Sequence, residues 1–184
     1  PFGANCNCAV FEVNKHNWTT LPETELKQMT ALKRLKINHG PLKSIFNDFG
    51  TSFPKLTNVD FGYNKLTTLP ESFEKMKTNY LIIPNNNLIS LSDKIWRNKL
   101  LVYVELDNNN ISQISPLIQY AQSLTYLLIS NNSLSALPKE VFFSSESNTN
   151  SKLVSLFVDG NYLKEIPQEI KHASALKNLL KRLS

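Results

Sequence analysis

The sequence predicts an α/β solenoid, and three observations predict it. One spacing recurs along the chain: apolar, two residues, apolar, one residue, apolar, two residues, usually asparagine, one residue, apolar. It reads Leu56, Val59, Phe61, Asn64 and Leu66, then Leu101, Val104, Leu106, Asn109 and Ile111, then Leu124, Leu127, Ile129, Asn132 and Leu134. The units begin at Cys8, Leu32, Leu56, Thr78, Leu101, Leu124, Leu153 and Leu176, at intervals of 24, 24, 22, 23, 23, 29 and 23 residues. A fixed period in the low twenties marks stacked units, none of which can bury its own apolar edge alone. Inside each unit two apolar positions flank a single residue, a period of two that predicts a short strand with one buried face.

The strand positions are Phe11 and Val13, Leu35 and Ile37, Val59 and Phe61, Leu81 and Ile83, Val104 and Leu106, Leu127 and Ile129, and Leu156 and Val158. After each strand a further apolar pair, such as Leu66 and Leu69 or Leu163 and Ile166, keeps the chain on the core. Proline follows in four units, at Pro22, Pro70, Pro138 and Pro167. Its fixed φ and missing N–H suit a return path outside any ladder. Four residues beyond the second apolar position of that pair lies another core column, Phe49, Phe73, Ile95, Ile118, Val141 and Ile170.

Asn64, Asn86, Asn109, Asn132 and Asn161 recur where the chain leaves the strand. An amide there can donate to carbonyls and accept from a neighbouring N–H, which satisfies groups the turn leaves unpaired. The first two units depart from this pattern, with His16 and Gly40 in the asparagine position.

These motifs resemble the leucine-rich repeat, L-x-x-L-x-L-x-x-N/C-x-L, over residues 8–184 in seven near-complete copies and a truncated eighth. The resemblance implies a right-handed, curved horseshoe with short parallel strands on its concave face and irregular or short helical segments outside. It also implies that the asparagine column forms a ladder. The units resemble the common type with Leu-Pro turns rather than the plant receptor type with its Ile-Pro and Gly pattern.

Net charge is +5 and spread along the chain. The densest basic stretch, Lys171, His172, Lys177, Lys181 and Arg182, falls on the last unit and reads as a solvated face, so no nucleic-acid partner is expected. The chain begins at Pro1 and stops inside its eighth unit, which reads as a piece of a longer protein. No apolar run is long enough to span a bilayer, so membrane attachment would come only through a segment outside this window.

The two cysteines, Cys6 and Cys8, are too close for an ordinary mutual disulfide. Cys8 is either a small buried apolar residue of the first core column or, with Cys6, the remnant of a cysteine-rich cap over residues 1–7 whose disulfide partners lie outside the segment. Sequons at Asn17, Asn110 and Asn131 allow N-glycosylation, although a chain this rich in Asn, Ser and Thr yields several by chance. Residues 142–152 lengthen one unit and read as a polar surface loop.

Strand residues that point away from the core face the concave side. Tyr80, Tyr103 and Tyr126 share one column on three adjacent units, and Ile82, Leu128 and Phe157 share the next. Grouped apolar and aromatic side chains on an open face predict a protein- or peptide-binding patch. The competing reading is that cross-strand tyrosine pairs only stabilise the sheet. Arg34, Lys36 and His39 gather at one end, and Asp60, Glu105, Asp107 and Asp159 lie further along, with Tyr63 beside them; such polarity can orient a partner.

Catalysis is not expected within this segment. Glu105 and Asp107 point the same way, yet an open face supplies no apolar pocket to raise a pKa. There is no nucleophile elbow, phosphate-binding glycine loop or metal-ligand motif, so neither a cofactor nor a metal is expected. The reading is a recognition module, the extracellular or cell-surface part of a secreted or membrane-anchored receptor-like protein. The alternatives are a cytoplasmic scaffold in signalling and the recognition part of a larger enzyme such as a receptor kinase.

Overall fold

The structure is a computed structural model that describes residues 8–142 and 153–164. The cap segment 1–7, most of the 142–152 insertion, Ile166, Pro167, Ile170, the basic stretch from Lys171 and the eighth unit lie outside the described residues. Seven strands form one parallel sheet in chain order: β1 (Val10–Asn14), β2 (Arg34–Asn38), β3 (Asn58–Asp60), β4 (Tyr80–Ile82), β5 (Tyr103–Glu105), β6 (Tyr126–Leu128) and β7 (Ser155–Phe157). Register is strict, with Phe11, Leu35, Val59, Leu81, Val104, Leu127 and Leu156 side by side across the sheet. A slip of one residue would turn this apolar row to solvent. The α/β solenoid predicted from the period is the fold observed.

Each return path outside the sheet carries one helical turn. Two are α-helical, α1 (Glu23–Lys27) and α2 (Phe49–Ser52), and four are 3-10 turns at Glu71–Lys75, Asp93–Arg97, Pro116–Tyr120 and Lys139–Val141. Pro22, Pro70 and Pro138 each stand immediately before such a turn, where a fixed φ and a missing N–H cost nothing. Pro116 occupies the first position of its turn, and Ser115 caps it by accepting from the Leu117 N–H at 3.2 Å.

The core lies between the sheet and these turns. Phe49, Phe73, Ile95, Ile118 and Val141 are all buried beneath the outer turns. Phe49 sits at the centre of an aromatic cluster, 5.2 Å from Phe73, 5.1 Å from Phe53 and 5.6 Å from Phe61 between ring centroids. Where one unit begins with Thr78 instead of leucine, the hydroxyl is buried and donates to the Thr57 carbonyl at 2.6 Å. Buried Asn98 then donates to the Thr78 carbonyl at 3.0 Å, so the polar substitution brings its own partner. The close approach of α2 to the next turn requires Gly50: a Cβ there would overlap the Ser72 backbone, and the Gly50 N–H donates to Ser72 Oγ at 2.9 Å.

Candidate functional site: the concave sheet face

An asparagine ladder fixes the edge of the sheet where each strand ends. The Asn109 amide donates to the carbonyls of Ile83 and Leu106 at 2.9 and 3.0 Å, and its oxygen accepts from the Leu88 N–H at 2.9 Å. Asn86, Asn132 and Asn161 repeat the pattern, accepting from Leu66, Ile111 and Leu134. Asn64 donates to Ile37 and Phe61, but its buried oxygen makes no well-formed hydrogen bond.

The two departures seen in the sequence are one feature. The His16 imidazole stands where a side chain at Gly40 would need to be, so the histidine of one unit fills the rung that glycine leaves empty in the next. Its Nδ1 accepts from the Trp18 N–H at 3.2 Å, while Nε2 is buried without a well-formed hydrogen bond. Burial lowers its pKa, and the nearby Asn64 amide offsets part of that effect.

One residue before each ladder position the backbone turns left-handed, at Lys15, His39, Tyr63, Asn85, Asn108, Asn131 and Gly160. Only the asparagines and the glycine signalled this in the sequence. This turn sets the border of the sheet face. In the column before it, Asn38, Gly62 and Pro84 are buried and Asp107 is half-buried, so this column does not lie open on the face.

On the face itself, Tyr80, Tyr103 and Tyr126 form a row with centroid separations of 6.2 and 6.0 Å. The neighbouring column runs Ile82, Glu105, Leu128 and Phe157 in register. Tyr80 and Tyr126 are 40 % exposed and Phe157 37 %, high for large apolar groups on a sheet. Tyr103 is more enclosed, and its hydroxyl donates to Glu105 Oε2 at 2.9 Å. Burial, then that hydrogen bond, then the charges of Glu105 and Asp107 push its pKa up to about 12. Asp107 accepts from the Ser130 N–H at 2.6 Å, yet burial, with repulsion from Glu105 and Asp159, raises its pKa.

The expected separation of charge along the face is modified. Lys36 pairs with Asp60 at 3.5 Å and Arg34 reaches Glu12 at 4.0 Å, so the basic end neutralises itself. These four side chains, with Asn58 and Ile82, line a shallow depression of about 210 Å³. His39 stacks on Tyr63 at 4.3 Å. Among the described residues neither Glu105 nor Asp107 forms an ion pair.

Cys8 is disulfide-bonded, which excludes the plain buried thiol; Cys6 lies outside the described residues. Asn17, Asn110 and Asn131 are exposed, although the Asn131 amide donates to Asn108 Oδ1 at 3.0 Å. No helix among the described residues is long and apolar enough to cross a membrane. No group of three or more His, Cys, Asp or Glu among them is placed to hold a metal ion.

A parallel sheet of short strands, a ladder at its rim and an open, partly apolar inner face define a repeat solenoid of the protein-interaction class. Residues 30–88 and residues 123–144 each match a model of the leucine-rich repeat, and the seven-stranded solenoid carries the fold of such repeats. Solved structures agree. A leucine-rich-repeat protein of Leptospira interrogans superposes with a TM-score of 0.75 at 25% identity, covering 84% of this chain and 38% of that one. YopM, a leucine-rich effector protein of Yersinia pestis, gives 0.62 at 21% identity, covering 86% and 39%. The ectodomain of the Arabidopsis thaliana membrane receptor kinase GASSHO1/SCHENGEN3, solved in complex with Casparian strip integrity factor 2, gives 0.66 at 16% identity, covering 84% and 18%. The chain thus spans less than half the length of these proteins. No curated protein shows significant sequence similarity to it.

Proposed function

We propose that the concave face binds a protein or peptide partner, and that the chain is the extracellular recognition part of a secreted or membrane-anchored receptor-like protein. The row Tyr80, Tyr103, Tyr126, continued by Ile82, Leu128 and Phe157, carries the binding reading. Tyrosine offers a large rigid contact area at low entropic cost, and such groups dominate binding energy when they cluster. The plant receptor ectodomain solved with a bound factor is a precedent on the same fold. The disulfide at Cys8 favours an oxidising compartment, and the exposed sequons at Asn17 and Asn110 are compatible with it.

Selection of random displayed peptides on the 184-residue chain tests the binding reading. Enriched peptides should lose at least about tenfold in affinity on a Tyr80→Ser/Tyr126→Ser variant of unchanged thermal stability. Enriched peptides indifferent to that variant would move the site off the concave face. Intact mass of protein from its native source tests the location. Glycans at Asn17 or Asn110 support the ectodomain; bare asparagines with a reduced Cys8 would establish the cytoplasmic scaffold instead.

A further inference from the structure

The concave face divides into two halves of different character. On β1 to β3 every charged column residue has an opposite charge beside it: Arg34 with Glu12, Lys36 with Asp60. On β4 to β7 the face is apolar, and its charges are all negative. Glu105 is set between Ile82 and Leu128 in one column, with Tyr103 beside it on its own strand. Asp107 lies two residues further on, between Pro84 and Ser130, and is close enough to Asp159 to feel its charge. Arg97, the nearest arginine in sequence, lies on the outer turn with its guanidinium over Tyr120 at 6.0 Å. The arrangement is an apolar, aromatic floor with a line of carboxylates on and just beyond β5 and, among the described residues, no cation ion-paired to Glu105 or Asp107.

Two details show that these carboxylates are aimed rather than merely tolerated. The Tyr103 hydroxyl holds one oxygen of Glu105, which fixes the rotamer and leaves the other oxygen available. The Ser130 N–H holds Oδ1 of Asp107 in the same way. Preorganised acceptors lose little entropy when a donor arrives. A guanidinium is planar, keeps its charge, donates in a fork and stacks on tyrosine faces, whereas an ammonium does only the charge part of this. The chain's overall charge of +5 does not oppose this, since beyond roughly 8 Å it is screened at physiological salt.

Resting on the reading of the concave face as a peptide-binding surface, we propose that its occupant is an extended peptide carrying arginine. The arginine seats its guanidinium on Glu105 and Asp107 and its stem on Tyr103, while apolar residues two positions away, on the same face of the extended peptide, cover Ile82, Leu128 and Phe157. Strands lie about 4.8 Å apart, so β4 to β7 span about 14 Å, which four extended residues cross. The recognition element is therefore short: one arginine with an apolar residue two positions away on either side.

The test uses labelled dodecapeptides in which every second residue is in turn leucine and arginine, leucine and lysine, or leucine and serine, with serine at the positions between, titrated into the full chain at physiological salt. The arginine series should bind about tenfold or more tighter than the serine series and measurably tighter than the lysine series. Glu105→Gln/Asp107→Asn keeps both acceptors for Tyr103 and Ser130, so the fold is retained, and it should remove most of the arginine advantage. Glu12→Gln, on the self-neutralised half, should leave the advantage intact. Equal binding of the serine and arginine series, with both lost in Tyr80→Ser/Tyr126→Ser, would overturn the arginine inference and keep the binding surface. An arginine advantage that survives the carboxylate variant would also overturn it. Absence of any concave-dependent binding, here and in the displayed library, would overturn both.

Discussion

The Tyr103 hydroxyl donates to Glu105 Oε2 at 2.9 Å, two residues along the same strand and on the same side of the sheet. The pair joins the aromatic row to the acidic line, and it makes Tyr103 hard to ionise. Because its folded pKa of about 12 lies above the ordinary value of 10.0, its contribution to stability is complete below about pH 10. That contribution is lost as pH rises toward 12. Tyr103→Phe should flatten the alkaline limb of a urea-denaturation profile over that range, and a limb of unchanged slope would contradict the pairing.

Asp107 shifts in the same direction, in the acidic range. Its pKa is raised chiefly by burial, so the folded state prefers the protonated acid and loses stability as pH climbs through the carboxylate range. Asp107→Asn keeps the acceptor for Ser130 and should be at least as stable as the parent at pH 7. The difference should vanish near pH 3, where both states are protonated. A clear loss of stability at pH 7 would show that the ionised group is needed for the fold rather than tolerated at its expense.

His16 and Gly40 should behave as one unit. Gly40→Ala runs a Cβ into the imidazole, and His16→Asn leaves a gap beside Gly40; each should destabilise by about 1–3 kcal/mol. The double variant His16→Asn/Gly40→Asn should recover much of the loss by restoring two ladder rungs, and simple additivity would contradict the shared-rung account. Because burial lowers the His16 pKa, the neutral ring stabilises the fold above about pH 6.5, and that stability drains as pH falls below it. Amide exchange in β1 should therefore accelerate from pH 7 to pH 5, after correction for intrinsic rates, more in the parent than in the double variant.

The asparagines of the ladder should not be equal. Asn109→Ala strands buried groups at Ile83 and Leu88, each costing about 1–3 kcal/mol if water cannot reach it, and removes one of the two donors to the Leu106 carbonyl. Asn64→Ala should cost less, because the Asn64 oxygen makes no well-formed hydrogen bond to lose. Chemical denaturation of the two variants ranks them, and the reverse order would be inconsistent with the hydrogen bonds described.

The sequence carries the architecture because the repeat writes the same constraint many times. Val59, Val104 and Leu127 announce the buried row, and Phe73, Ile95 and Ile118 the outer core. The tyrosine row is equally legible, since strand register follows from the period. What a linear reading misses is complementarity between units. That His16 answers Gly40 requires two residues 24 positions apart to share one space. The pairing of Lys36 with Asp60 turns an expected basic pole into a neutral one, for the same reason. The left-handed turn is announced by Asn85, Asn108 and Asn131 but hidden at Lys15, His39 and Tyr63, where the fold overrides residue preference. Trp96, with no place in the repeat pattern, is almost wholly buried because its 3-10 turn packs between two others.

Partners are expected to engage the concave sheet between β4 and β7. Hydrogen–deuterium exchange of the full chain, with and without a saturating peptide from the displayed library, reads this directly. Slowed exchange at the strand residues 80–82, 103–105 and 126–128 and at the exit turns that follow them is the predicted result. Slowing confined to the outer turns at 93–97 and 116–120, with the strands unchanged, would contradict it.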